Sequence, residues 1–106
     1  MVDPAIVDII RRYLQKMAER GLPVRRAILF GSQASGGAKR ESDIDLVLIS
    51  PIFDALTWEQ ECAAWEIAKS VDWRLEPVLC GETVFQRDDW HPLIDLLRRE
   101  GLPITL

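Results

Sequence analysis

Two cysteines and one histidine are all that these 106 residues offer to a zinc site or a disulfide framework. Cys62, Cys80 and His91 make none of the usual zinc spacings. The two cysteines read as reduced thiols, buried as small apolar groups. No apolar run approaches the ~20 residues needed to cross a bilayer. The first residues lack the basic and apolar regions of a signal peptide, so the chain reads as cytoplasmic. Positive charge is not in excess either: 13 Lys and Arg stand against 17 Asp and Glu, a net charge of −4. That argues against a broad phosphate-binding surface and against long duplex nucleic acid as a partner, although the end of an RNA needs few contacts. Repeats, low-complexity segments and linkers are absent. The length suits one domain over residues 1–106, and 48% apolar with 28% charged residues is a soluble globular composition.

The elements follow from local signals. Asp3-Pro4 is a helix start, and Ile6, Ile9, Ile10, Tyr13, Leu14 and Met17 recur at helical spacing. Gly21 and Pro23 end that helix. Strands are expected at 24–30 and 43–50, the second closed by Pro51, and a helix at about 55–70. Gly81 opens a turn. Asp88 or Asp89 would cap a last short helix carrying Leu93, Leu96 and Leu97, ended by Gly101-Leu102-Pro103 as Gly21-Leu22-Pro23 ends the first.

Residues 31–45 carry the chemistry. The turn Gly31-Ser32 follows the apolar run Ala27–Phe30. Glycine lets a ligand approach the backbone, Ser32 can cap a helix, and a helix start suits a triphosphate. The turn is neither a Walker loop nor a dinucleotide fingerprint. Ten residues later Asp43 and Asp45 open the run Leu46–Ile49. Residues i and i+2 of a strand share a face, so the two carboxylates project together. They repel unless solvated or matched to a cation, and magnesium is commonly held by one or two carboxylates plus substrate phosphates. An isolated Asp-x-Asp is more often a solvated strand start, but Asp is depleted in strands and Asp45 sits inside an apolar run. Lys39 and Arg40, after Gly36-Gly37, read as solvated charges of a flexible loop.

Gly31-Ser32, ten residues, then Asp43-Ile44-Asp45 resembles the signature of the nucleotidyltransferase superfamily that includes DNA polymerase beta. The short chain is most similar to its minimal branch, whose members are often encoded beside a HEPN-domain partner. The resemblance implies an α/β fold with a small mixed sheet flanked by helices. It implies two magnesium ions on three carboxylates and the Gly31-Ser32 turn on the triphosphate of ATP. The third carboxylate would lie on a later strand, within Val71–Cys80. Glu76, followed by Pro77-Val78-Leu79 and Gly81-Glu82, fits that register best. Asp72, four residues earlier and of the same parity, is the rival. Arg74 shares a face with Glu76 and would be its partner if Glu76 were merely structural.

By the same resemblance the activity is protein adenylyl transfer: AMP moved to a hydroxyl, with a HEPN-type toxin as acceptor and this chain as antitoxin. A non-catalytic module that neutralises a partner by contact is the alternative. Addition to an RNA end is disfavoured by the acidic charge. The helix at 55–70 has two apolar faces, Trp58/Cys62/Trp65 and Ala63/Ala64/Ile67/Ala68/Val71. One packs on the sheet; the other, Trp58–Trp65, is a candidate contact for a partner or a second copy, or is covered by other helices. Trp73 and Trp90 read as packing residues at the rim of the core, and the lone His91, near a helix start, reads as non-catalytic.

Overall fold

The structure is a computed structural model that describes residues 2–39, 41–86, 95–96 and 99–105. Helix α1 spans Pro4–Glu19; Asp3 caps it, Oδ1 accepting from the Ala5 N–H at 2.9 Å, with Pro4 in the first turn. Its buried stripe is the expected one, Ile6 through Met17. It ends in a Schellman pair: the Gly21 N–H reaches Ala18 O and the Leu22 N–H reaches Met17 O, with Gly21 at φ +78°.

Strand β1 (Arg26–Phe30) runs into a four-residue helix α2 (Ser32–Ser35), then β2 (Ile44–Ser50). A 3-10 turn over Pro51–Ala55 leads to α3 (Trp58–Val71), which starts on a Thr57/Gln60 capping box. Strand β3 (Leu75–Gly81) and α4 (Glu82–Gln86) follow, and β4 is Leu102–Ile104. The sheet order is β3-β2-β1-β4, with β2 and β3 parallel and the other pairs antiparallel. This is the mixed sheet flanked by helices that the resemblance implied. The proposed cap at Asp88 or Asp89, together with Trp90, His91, Leu93 and Leu97, lies outside the described residues, as does Arg40.

One correction concerns the strands. Gly101-Leu102-Pro103 is not only a helix stop, because Leu102–Ile104 forms an edge strand on β1. Proline is tolerated there, as is Pro77 in the opposite edge strand β3. Strand periodicity sorts the two faces. Ala27, Leu29, Ile44, Leu46, Leu48 and Leu75 face α1 and α3, joined by Ala64, Ile67 and Ala68. Tyr13 ties the two helices through its hydroxyl, which donates to Ala64 O at 2.9 Å. The other face carries Ile28, Val47 and Ile49, partly covered by Phe85 of α4, with Phe30 and Cys80 alongside. This second face holds the acidic site.

Candidate functional site

The register places Phe30, Asp45 and Glu76 in one row across β1, β2 and β3, with Asp45 and Glu76 directly opposed on parallel neighbours. Asp43 lies one residue before β2 begins and is exposed; Asp45 and Glu76 are half-buried. Burial raises the Asp45 carboxyl above the usual carboxylate range, and the charges of Asp43 and Glu76 raise it further. The three expected carboxylates are therefore electrostatically one cluster. Among the described residues neither Asp43 nor Asp45 forms an ion pair, and no three metal-ligating side chains converge to metal-binding distance.

Gly31 closes the site from β1. Its φ is +72°, and a Cβ built there would lie 2.6 Å from Asp45 Oδ2, so the backbone itself rests against the carboxylate. Gly31, not Ser32, is the N-cap of α2; Ser32 is the first helical residue. The expected hydroxyl cap is replaced by a bare turn, which leaves the N–H groups of Ser32 and Gln33 ahead of the first intrahelical bond. Beyond α2 the loop is tied back, with Gln33 Nε2 donating to Ser42 O at 3.2 Å and the Lys39 N–H to Ser42 Oγ at 2.8 Å.

The sequence model of the nucleotidyltransferase domain matches residues 10–95, most of the chain and all of the row just described. The chain belongs to the nucleotidyltransferase domain family. Its fold is similar to that of a presumed nucleotidyltransferase from Sulfolobus solfataricus, known from a crystal structure at 1.40 Å resolution. The TM-score is 0.63 at 12% identity, over 93% of this chain and 78% of the other. No curated protein matches the sequence.

Within this nucleotidyltransferase domain the two rival carboxylates have different surroundings. Asp72 is the C-cap of α3. Its carboxylate takes two hydrogen bonds from the Arg74 guanidinium, both at 3.0 Å, and one from the Arg74 N–H at 2.9 Å. Those bonds hold its pKa below the usual range. Arg74, the partner that a merely structural Glu76 would have, instead turns back across the helix end to Asp72. Glu76 meets a cation that no sequence signal singles out. Lys69, in the last turn of α3, places Nζ 3.4 Å from Glu76 Oε1. A lysine in the last helical turn is ordinary, and only the docking of α3 beside β3 brings it to the site.

The other aromatic expectations divide. Trp65 is half-buried, its indole N–H donating to Glu61 at 3.2 Å. Trp58 is 76% exposed and Trp73 63% exposed, so Trp73 is not a core-rim packing residue. Cys62 and Cys80 are free thiols as expected but only half-buried, and burial raises the Cys80 thiol.

Proposed function

We propose that this domain transfers a nucleoside monophosphate, AMP in the leading reading, from a nucleoside triphosphate to a hydroxyl on a protein partner, in a magnesium-dependent reaction. The observation that carries the proposal is the opposition of Asp45 and Glu76 on adjacent parallel strands, with the Gly31 backbone against Asp45. The donor set suits a hard cation. All three groups are carboxylates, and their mutual repulsion at Asp45 is the charge imbalance such an ion relieves. Magnesium does not need a cage made wholly of protein, because substrate phosphates and water complete its shell.

In this reading Asp43 and Asp45 hold magnesium, two ions in the form the family resemblance implies, and Glu76 completes the set on the acceptor side. Bound magnesium would neutralise charge on the attacking and leaving oxygens. Glu76 would take the proton of the acceptor hydroxyl. Gly31 and Ser32 present backbone to the departing pyrophosphate. The acceptor is a protein, by resemblance a HEPN-type toxin neutralised by modification in the cytoplasm. The acidic net charge of −4 disfavours nucleic acid as the acceptor.

The test is calorimetric titration of ATP with magnesium into the wild type and the Asp43→Asn/Asp45→Asn variant. Magnesium-dependent binding that is lost in the variant supports the site. Equal binding by both overturns it. The exposure of Trp58 and Trp73 favours a second reading, contact with a partner or a second copy without catalysis. Mass in solution at high concentration, compared with Trp58→Ser, checks self-association through α3. A strict monomer sinks that version.

A further inference from the structure

We propose that Lys69 is a positioning residue for Glu76, a tethered ammonium that competes with a divalent cation for that carboxylate. The inference rests on the reading of the acidic cluster given above. Lys69 Nζ donates to the carbonyl oxygen of Trp73 at 2.9 Å and to that of Leu75 at 2.7 Å. It also lies over the Trp65 ring, 5.3 Å from the centroid. Its distance to Glu76 Oε1, 3.4 Å, is the longest of its three polar contacts. An ammonium has three donors; two are spent on the backbone between α3 and β3, and the third faces Glu76. The turn therefore fixes the position of the charge, which stays beside Glu76 whatever that side chain does.

The acidic cluster is consequently lopsided. Glu76 has a resident cation, whereas Asp43 and Asp45 have no ion pair among the described residues. A divalent cation finds uncompensated charge on the Asp43–Asp45 side and an ammonium already in place at Glu76. Lys69 lowers the affinity of the cluster for a free cation. It leaves loading to a cation that arrives with a triphosphate, whose own charge outweighs one ammonium.

The experiment titrates manganese alone into the full chain, read by water-proton relaxation. The variants are Lys69→Met, Lys69→Gln, Lys69→Arg, Glu76→Gln and Lys69→Met/Glu76→Gln, with Asp43→Asn/Asp45→Asn marking the site. The uncharged Lys69 variants are expected to bind manganese about three- to tenfold more tightly, the scale of removing one nearby charge at partial exposure. Lys69→Arg keeps wild-type affinity, and the gain vanishes in the Glu76→Gln background. A purely structural role for Lys69 would not produce that coupling. Unchanged or weaker affinity in both uncharged variants, or an undiminished gain without Glu76, overturns the inference while leaving the site standing. Manganese binding unaffected by Asp43→Asn/Asp45→Asn overturns the reading of the site and this inference with it.

Discussion

The backbone of Gly31 lies against the carboxylate of Asp45, close enough that a Cβ on Gly31 would come within 2.6 Å of Asp45 Oδ2. The turn and the carboxylate are thus one unit, although Gly31 follows β1 and Asp45 lies in β2. Gly31→Ala must adopt φ near +72° and displace Asp45 at once. The backbone term alone costs about 1–2 kcal/mol. We expect a lower unfolding midpoint in denaturant and loss of nucleotide binding by calorimetry. A variant that loses stability but binds ATP normally would separate the two effects and contradict the coupling.

Asp45 has the opposite sign of effect on stability and on chemistry. Its carboxyl is raised in the folded state, first by burial, then by Asp43 and Glu76. Folding therefore favours the protonated form, and that contribution is present at acidic pH and lost as pH rises through the raised value. Asp45→Asn should melt at a higher temperature than wild type at pH ~7, with the difference shrinking toward pH ~4. Transfer activity should fall roughly 10²- to 10³-fold, the scale of removing one preorganised charge-stabilising group. Thermal scans at both pH values, beside a transfer assay, check the two halves separately.

Much of this site is legible in the sequence because its signals are local. A glycine turn after an apolar strand and two carboxylates opening the next are spacings within fifteen residues, Gly31 to Asp45. What is not legible depends on pairing between distant segments. Leu102–Ile104 has no periodicity of its own; it is a strand because β1 offers a free edge. Arg74 shares strand parity with Glu76, but the chain at residues 72–74 is still a helix end, where a carboxylate two residues back captures the guanidinium. Lys69 enters the site only once α3 is docked beside β3.

The Asp72–Arg74 pair gives the cleanest separation of structure from chemistry. Both side chains are mostly shielded, 16% and 18% exposed, so breaking the pair strands a charge. Arg74→Met should cost about 1–3 kcal/mol. The lowered Asp72 pKa means this stabilisation is complete above the ordinary carboxylate value of about 3.9 and lost as pH falls through the lower folded value. Asp72→Asn should likewise destabilise while leaving metal-dependent nucleotide binding in place. Glu76→Gln should do the reverse, keeping the melting temperature and losing transfer. Denaturant melts and activity measured on the same preparations decide; the opposite pattern would transfer the third-carboxylate role to Asp72.

Tyr13 tests how the helical layer behind the sheet is held. Its side chain is fully buried and its hydroxyl donates to Ala64 O at 2.9 Å, joining α1 to α3. Removing the hydroxyl in Tyr13→Phe should cost about 0.5–1.5 kcal/mol at neutral pH, the net value of one such hydrogen bond. Burial, and behind it the charge of Glu61, raises the phenol well above its ordinary range. The folded state excludes the phenolate, so the contribution is intact below about pH 10 and lost as pH rises above it. Wild type should therefore lose its advantage over Tyr13→Phe in alkaline solution, the two stability curves converging and then crossing. Denaturant unfolding at pH ~7 and ~11 measures this. A gap that stays constant across that range would mean that the hydroxyl is solvated in the native state and does not bridge the helices.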